Sequence, residues 1–254
     1  MNLAIETIGL VKRYGALTAL DSINLVVQEG VSYGLVGANG AGKTTTARLL
    51  AGLSTPTRGS VRILGEPIHR QSPALRRRIG VMPEGLALFD YLTGREYLAF
   101  IGRLYLLDSR VAQTRAEELL QLMDIAEAGG RLIAGYSYGM KKKLALAAAM
   151  LHRPELLILD EPLEGVDTVS RTILERIFAQ LSGYRVTVFV TSNSLRLVER
   201  ICSRVGILDK GRLVLEGSLD ELLKRGSAEE RSLETLFLET ADVPQSRPSS
   251  IKWS

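Results

Sequence analysis

The chain has little of several things that would define its class. Only one of its 254 residues is a cysteine, Cys202, and only two are histidines; this excludes an internal disulfide framework and a cysteine-rich metal site. The longest uninterrupted apolar run, Leu144–Leu151, has eight residues, whereas a membrane-spanning helix needs about 20. We therefore expect no transmembrane helix, and we find no secretory signal at the N-terminus.

The chain also lacks a strong charge of either sign. Lys and Arg total 32 and Asp and Glu total 28, which gives a formal net charge of +4. This charge is too small to predict a nucleic-acid partner without a clustered basic face. Hydrophobic residues make up 46% of the chain, which is ordinary for a folded protein and excludes global disorder.

The order of apolar segments predicts an α/β fold. Short strands are expected within Leu3–Gln28, around turns at Tyr14-Gly15 and Asp21-Ser22. More strands are predicted at Val31–Val36, Ser60–Leu64, Ile79–Met82, Leu156–Leu159, Val186–Thr191 and Val205–Leu208. Helices are predicted at Lys43–Ala51, Val169–Leu181, Leu219–Lys224 and Leu233–Glu239. Apolar strands that alternate with helices indicate a mostly parallel sheet covered on both faces, with an antiparallel β layer at the N-terminus.

The domain organisation follows from where this alternation stops. Helical spacing replaces strand signals at about 86–152, so we expect a helical insert there. A hairpin is expected at Lys210-Gly211. The stretch Ala241–Ser254 contains two prolines and four serines and is predicted to be a disordered tail. We therefore expect one domain over 1–240 that contains the insert.

A glycine-rich loop follows the predicted strand Val31–Val36 and precedes a helix. It matches the phosphate-loop pattern G-x-x-x-x-G-K-[ST]. Its glycines allow several N–H groups to point at one anion, and the helix adds the positive end of its dipole. A lysine at this position reaches β- and γ-phosphates, and a hydroxyl beside it can bind Mg²⁺. The predicted nucleotide-binding residues are Gly37, Ala38, Asn39, Gly40, Ala41, Gly42, Lys43, Thr44 and Thr45, with Thr44 also binding the metal.

Two acids end the apolar strand Leu156–Leu159. In open α/β sheets, ligands bind at the carboxyl ends of strands. Asp160 is therefore expected to reach Mg²⁺, which prefers few carboxylates together with waters and phosphates. Glu161 is expected to act on the attacking water, as general base or by orienting it. The phosphate loop and this acidic pair together predict a nucleotide hydrolase that uses Mg²⁺.

These two elements resemble those of the ATP-binding subunits of ABC transporters, and the resemblance covers about residues 3–235. The family's serine–glycine signature, usually L-S-G-G-Q, reads Tyr136-Ser137-Tyr138-Gly139-Met140 here and keeps only Ser137 and Gly139. The resemblance implies that Ser137 and Gly139 contact ATP held by a second copy, in a head-to-tail dimer. It further implies that Tyr14 stacks on adenine, Glu84 binds Mg²⁺ in place of the usual Gln, and Asp167 faces the dimer partner.

One position departs from the family in a way that affects catalysis. Where the family has a histidine after the strand Val186–Thr191, this chain has Asn193. An asparagine amide can donate a hydrogen bond, but it cannot be cationic or relay a proton. Asn193 is thus a candidate catalytic residue, and we expect hydrolysis that is slow or strongly dependent on a partner.

Three consecutive lysines, Lys141, Lys142 and Lys143, follow the signature at a predicted helix N-terminus. Cations there oppose the helix dipole, by about 0.3–1 kcal/mol each when they are exposed. Two interpretations stay open. A nearby anion such as the partner's ATP offsets this cost, or the three residues form a solvated basic turn.

The resemblance implies further partners. A separate transmembrane permease would dock near Glu84, beside Leu86, Leu88, Phe89, Tyr91 and Leu92, and a second ATPase subunit, identical or different, would complete the dimer. The chain would then be cytoplasmic, at the inner face of the cell membrane. The resemblance is greatest to ATPase subunits of exporters for drugs, lipids or polysaccharides.

Two alternatives remain open from the sequence. The first is a regulatory ABC subunit that hardly hydrolyses ATP, which Asn193 and the altered signature favour and Glu161 opposes. The second is a soluble ABC ATPase that acts on ribosomes or DNA. Such proteins usually carry two cassettes or a long coiled-coil insertion, and neither is visible here.

Overall fold

A computed structural model describes residues 2–68, 73–181, 184–224 and 232–240. The predicted tail at 241–254 lies outside these ranges. None of the helices in the described residues is long and apolar enough to cross a membrane.

An antiparallel sheet is built mainly from the first sixty residues. Its strands, in the order β2-β1-β4-β5, are β1 (Leu3–Tyr14), β2 (Leu17–Gln28), β4 (Arg58–Ile63) and β5 (Glu66–Pro67). The predicted turn at Tyr14-Gly15 is confirmed. The turn predicted at Asp21-Ser22 is wrong, because both residues lie inside β2. Ser22 has a φ of 60° where the pairing with β1 shifts register, so this segment is a bulge in one long strand.

The second sheet has six strands in the order β10-β9-β3-β8-β7-β6. They are β3 (Ser32–Val36), β6 (Ile79–Met82), β7 (Leu156–Asp160), β8 (Thr187–Ser192), β9 (Arg204–Asp209) and β10 (Arg212–Ser218). Only the edge strand β10 is antiparallel to its neighbour. The prediction of a mostly parallel sheet is thus confirmed, as is the hairpin at Lys210-Gly211, where both residues have positive φ.

The central strands are apolar throughout because each face of the sheet lies in a different hydrophobic core. In β7, Leu157 and Leu159 belong to one core and Leu156 and Ile158 to the other. Successive side chains of a strand point to opposite faces, so a strand buried on both sides needs apolar residues at every position. This packing places Asp160 at the carboxyl end of a fully buried strand.

Helices surround the parallel sheet. Helix α1 (Lys43–Leu50) follows β3, and the short α2 (Pro73–Arg76) precedes β6. Between β6 and β7 lie α3 (Gly94–Leu104), α4 (Ser109–Leu122) and α5 (Tyr138–Met150), with 3-10 turns at Glu127–Gly130 and Ile133–Gly135. The later helices are α6 (Thr168–Leu181), α7 (Leu195–Ile201), α8 (Leu219–Lys224) and α9 (Leu233–Thr240).

Candidate functional site

The glycine-rich loop joins β3 to α1 at the carboxyl edge of the parallel sheet. Gly42 caps the helix with a φ of 111°, a left-handed conformation that favours glycine. A Cβ at Gly37 would lie 2.4 Å from the carbonyl oxygen of Leu208, so no side chain fits there. The helix begins at Lys43, and its first-turn N–H groups have no partner within the helix. This is the geometry of an anion site.

Lys43 is buried and folds back over the loop. Its Nζ donates to the carbonyl oxygens of Gly37, at 2.9 Å, and Ala38, at 3.3 Å. The same Nζ lies 3.4 Å from Oε1 of Glu161. One ammonium therefore connects the phosphate loop to the acidic end of β7.

Three oxygen-bearing side chains meet beside this lysine. Oγ1 of Thr44 lies 3.3 Å from Oε2 of Glu84 and 3.3 Å from Oδ1 of Asp160. Burial raises the pKa of the Asp160 carboxyl; the Thr191 hydroxyl opposes this rise and the charge of Glu84 adds to it. These residues converge as predicted, and an all-oxygen donor set with two carboxylates suits a hard dication such as Mg²⁺.

Glu161 is held in an unusual backbone conformation. Its φ is 46°, in the left-handed region, and its side chain is buried. Its Oε2 accepts a hydrogen bond from the main-chain N–H of Asn193 at 3.2 Å. Burial raises the pKa of the Glu161 carboxyl, and Lys43 and the Asn193 N–H oppose this rise. Asn193 therefore reaches the acid through its backbone, whereas its side chain is exposed; the sequence suggested only the side-chain amide.

Thr191 is part of this site, although it belongs to no recognisable sequence motif. Its Oγ1 donates to Oδ1 of Asp160 at 2.5 Å and accepts from the N–H of Glu161 at 3.1 Å. A single hydroxyl thus orients both acids. The only signal for it was its position at the end of β8, which pairs with β7, and that pairing could not be read from the chain order.

Lys43, Thr44, Glu84 and Glu161 line one cleft of about 640 Å³, a size that suits a nucleotide-sized ligand. Asp160, Thr191 and Asn193 are not among the residues that line it. Among the predicted residues, the cleft is lined by Tyr14, Asn39, Gly40, Gly42, Lys43, Thr44, Thr45, Glu84 and Glu161. Tyr14 is 46% exposed at its rim, and Nζ of Lys12 lies 4.9 Å from the centre of its ring. Ala41 is buried, and its N–H donates to Ala38 within the loop. The cleft is also lined by residues that the sequence did not assign to a binding site: Leu17, Thr18, Ala19, Glu164, Lys210 and Gly211.

Another cleft, of about 690 Å³, lies between α4, α5 and α6. It opens at the start of β7 and β8, the end of a parallel sheet opposite to the one where ligands bind. Its Glu155 is already paired with Arg78, at 2.7 Å. It contains none of the predicted site residues, so the cleft at the glycine-rich loop is the candidate nucleotide site.

Ser137, Gly139 and Asp167 lie together but outside the nucleotide cleft of their own chain. Ser137 caps α5, and its Oγ accepts from the N–H of Met140. Asp167 is exposed, and its Oδ1 accepts from the N–H of Ser170 in the first turn of α6. A Cβ at Gly139 would lie 2.6 Å from Oδ2 of Asp167, so the two helix starts pack closely. Contact of these residues with a second copy stays a prediction.

The three lysines after the signature do not form a solvated basic turn, so that interpretation is wrong. Lys142 and Lys143 are buried. Nζ of Lys141 pairs with Asp90 at 2.8 Å. Nζ of Lys142 donates to the carbonyl oxygen of Glu161, also at 2.8 Å. Two of the lysines therefore have acceptors within their own chain.

The predicted permease-docking residues divide into two groups. Leu86, Leu88 and Leu92 are partly buried and pack on the core. Phe89 and Tyr91 are exposed; the Phe89 ring packs near Tyr91, Tyr97 and Phe100, with centroids 5.4 to 6.1 Å apart. Beside them is a narrow cleft of about 190 Å³, lined by Pro83, Leu86, Leu88 and residues of α3 and α5.

Known proteins are similar to this chain in both sequence and fold. The sequence profile of the ABC transporter family matches residues 20–164. Daunorubicin resistance ATP-binding protein DrrA3 of Streptomyces coeruleorubidus is 40% identical over 219 residues, which are 86% of this chain and 69% of that protein. Bacitracin transport ATP-binding protein BcrA of Bacillus licheniformis is 37% identical, over 89% of this chain and 73% of its own length.

Solved structures agree with the sequence relatives. An ATP-binding subunit of an ABC transporter superposes with a TM-score of 0.85 and 30% identity, and the match covers 93% of this chain and 99% of that one. The ATP-binding cassette MJ0796, in a dimeric post-hydrolysis state with ADP and phosphate, has the same fold, with a TM-score of 0.77 and 22% identity over 85% of this chain and 98% of its own. The chain therefore belongs to the ABC transporter family, as one of its ATP-binding subunits.

Proposed function

We propose that this chain binds ATP with Mg²⁺ and hydrolyses it to drive a separate transmembrane permease. The observation that carries the proposal is a pair of contacts between the phosphate loop and the acidic end of β7. Thr44 contacts Asp160 at 3.3 Å, and Lys43 contacts Glu161 at 3.4 Å. Such a site needs a cation for the phosphates, oxygen ligands for the metal and a base for water.

Each residue has a distinct role in the proposal. Thr44, Asp160 and Glu84 would hold Mg²⁺, which would neutralise phosphate charge when bound. Lys43 would turn from the loop carbonyls to the phosphates. Glu161 would accept the proton of a water that attacks the γ-phosphorus, so that the bond from the γ-phosphorus to water forms while the bond to the ADP oxygen breaks. The raised pKa of Glu161, caused by burial, suits a group that must accept a proton.

The proposed active unit is a dimer. The resemblance to ABC subunits supports contact of Ser137, Gly139 and Asp167 with ATP and residues of a second subunit, identical or different. The dimeric form of MJ0796 supports the same arrangement. ATP that touches both subunits binds the closed dimer more tightly than the open one, so binding closes the dimer and hydrolysis reopens it.

The names of the relatives support a role in export. DrrA3 is a daunorubicin resistance protein and BcrA is a bacitracin transport protein. We infer that the permease partner exports an antibiotic-like compound and docks at the surface around Phe89. Such docking would hold this chain at the inner face of the cell membrane.

The deciding experiment compares the ATPase rate of the purified chain with that of Glu161→Gln, and follows ATP-dependent dimerisation by size-exclusion chromatography. We expect turnover in the wild type, no turnover in the variant, and a variant trapped as an ATP-bound dimer. ATP binding without turnover in the wild type, with or without a permease, would instead favour a regulatory subunit. This is the second candidate function, because the side chain of Asn193 is exposed.

A further inference from the structure

Helix α5 places a buried lysine, Lys142, next to the acidic residues at the end of β7. The side chain of Lys142 is completely buried. Its Nζ donates to the main-chain oxygen of Glu161 at 2.8 Å and lies 5.6 Å from the centre of the Tyr138 ring. The lysine therefore connects the helix that begins beside Ser137 to the residue proposed as the base.

The hydrogen bond acts at a strained point of the backbone. Glu161 is a non-glycine residue with a φ of 46°, a strained conformation that persists only where the surrounding structure imposes it. Thr191 holds the N–H of Glu161 from one side. Lys142 holds the carbonyl oxygen of Glu161 from the other side. Both peptide groups of Glu161 are thus fixed by side chains from other elements.

The charge of Lys142 is expensive at this position. Burial lowers the pKa of its ammonium, and the charges of Glu164, Glu161, Glu84 and Asp160 oppose the shift. Buried ion pairs can often be replaced as a whole by apolar side chains without loss of stability, so a buried charge is weak evidence for a role in stability. The hydrogen bond of Lys142 to the backbone of Glu161 points instead to a functional role.

We propose that Lys142 is a positioning residue, which holds the Glu161 peptide so that hydrolysis depends on the placement of α5. This inference rests on the proposed function, in which Glu161 is the base. Since α5 begins beside Ser137, a shift of the helix relative to β7 would move or release the Glu161 carbonyl. Closure of the dimer would then also align the proposed base, because the same movement of α5 would cause both changes.

The test compares Lys142→Met with Lys141→Met, a control on the same helix whose lysine pairs with Asp90 at the surface. Steady-state ATPase gives kcat and KM, a fluorescent ATP analogue gives nucleotide affinity, and urea unfolding gives stability. We expect Lys142→Met to lower kcat roughly 10- to 100-fold, because small misplacements of a reacting group cost that much. Nucleotide affinity and KM should change by no more than about threefold, since only a transition-state interaction is lost.

The unfolding measurement separates positioning from support of the fold. Lys142→Met leaves the buried carbonyl oxygen of Glu161 without this donor, so we expect a loss of stability. Positioning is indicated if the folded variant loses kcat while its nucleotide affinity is kept. If it does not fold, Lys142→Gln takes its place, since this polar side chain is too short to reach the Glu161 carbonyl and should lower kcat in the same way. A folded variant with wild-type kcat, or one that loses kcat and affinity in parallel with stability, would overturn the inference.

The two proposals fail in different ways. If Glu161→Gln hydrolyses ATP at the wild-type rate, then Glu161 is not the base, and both the proposed function and the role of Lys142 are wrong. If Glu161→Gln is inactive while Lys142→Met and Lys141→Met both match the wild type, the proposed function stands and only the role of Lys142 is wrong.

Discussion

At the scale of single residues, two hydroxyl groups influence the pKa of the Asp160 carboxyl. Oγ1 of Thr191 lies 2.5 Å from its Oδ1, and Oγ1 of Thr44 lies 3.3 Å from the same atom. Burial raises the pKa of this carboxyl and these hydroxyls lower it. These two hydroxyls therefore favour the ionised form that a metal requires, against the effect of burial.

We expect Thr191→Val to weaken Mg²⁺ binding. Valine has nearly the same shape but no hydroxyl, so the pKa of Asp160 should rise further, and outer hydrogen-bond partners of metal ligands are worth roughly 10- to 100-fold in affinity. The Mg²⁺ concentration for half-maximal ATPase should rise by that factor. Thr187→Val is the control, because this threonine of the same strand bonds to Gly30; an unchanged Mg²⁺ dependence in Thr191→Val would contradict the prediction.

A second residue-scale prediction concerns Asn193. Its main-chain N–H donates a hydrogen bond to Glu161, and its side chain is exposed. The side chain can therefore be changed without disturbing that hydrogen bond. We expect Asn193→His to raise the ATPase kcat roughly tenfold, because a longer, ionisable donor can stabilise charge on the transferred phosphate. Asn193→Ala should leave the rate close to that of the wild type. No increase with histidine would mean that this position does not limit hydrolysis.

Site residues with linear motifs could be predicted, and those without them could not. The glycines, Lys43 and Thr44 follow one another in a fixed pattern, and Asp160 and Glu161 end an obvious strand. Thr191 contacts both acids and Lys142 contacts Glu161, each from another element. The sequence distances are 31 residues from Thr191 to Asp160 and 19 from Lys142 to Glu161. Nothing in a single sequence states which distant hydroxyl or ammonium completes an acidic pair.

At the scale of elements, the start of α5 combines structural and functional roles. Ser137 is its N-cap, and Asp167 holds the N–H of Ser170 at the start of α6. Both side chains therefore stabilise their own helices, and the resemblance assigns both to contact with a second subunit. A substitution that removes a cap would change both the stability of the helix and the proposed contact with a second subunit. Its effect on dimerisation could then not be assigned to the contact alone.

Ser137→Asp separates the two roles, since aspartate caps a helix about as well as serine. We expect it to keep wild-type stability and ATP affinity in the monomer, but to abolish ATP-dependent dimerisation because its charge would face the partner's phosphates. Ser137→Ala should lose about 1 kcal/mol of stability with the cap. Sizing in the Glu161→Gln background and urea unfolding measure the two effects; normal dimerisation of Ser137→Asp would exclude Ser137 from the interface.

Elements with strong periodicity were predicted closely, and those shaped by tertiary contacts were not. The prediction of a strand at Ile79–Met82 is confirmed without change, and α1 and α8 differ by at most one residue. The short α7 and β5 were missed. At Asp21-Ser22, turn-forming residues occupy a bulge, because pairing with β1 continues on both sides.

At the scale of the whole molecule, His152 links the insert helices to the parallel sheet. Its ring stacks on Tyr105, with centroids 3.7 Å apart, and its Nε2 bonds to the carbonyl oxygen of Ile79 in β6. Burial lowers the pKa of His152 from 6.5 to about 4. Because the folded state binds fewer protons than the unfolded state between these values, the stabilisation is complete above pH 6.5 and is lost as pH falls to about 4.

We expect the loss across this window to be about 3 kcal/mol. His152→Phe keeps a stacked ring but cannot titrate, so its stability should fall less than that of the wild type between pH 7.5 and 4.5. The raised pKa values of Asp160 and Glu161 act in the opposite direction and are common to both proteins. Urea unfolding at both pH values gives the difference, and equal losses in the two proteins would contradict the prediction.

The overall architecture could be inferred from the sequence, but the neighbours in the sheet could not. Alternating apolar strands and helices indicated a parallel sheet covered on both faces. The phosphate loop follows β3 and the acidic pair ends β7, so both strands carry parts of the site. In the order β10-β9-β3-β8-β7-β6, however, these two strands are not neighbours, because β8 lies between them. This order depends on the packing of whole layers, which no local pattern records.

The contact between Lys43 and Glu161 has a consequence for affinity. The carboxylate is an internal competitor of the phosphates, because both anions attract the same ammonium. Part of the binding energy of any incoming nucleotide is therefore spent on displacing a group that the protein itself supplies. The same exchange would free the carboxylate of Glu161 when a nucleotide binds, so the proposed base would stay paired with Lys43 until a substrate is present.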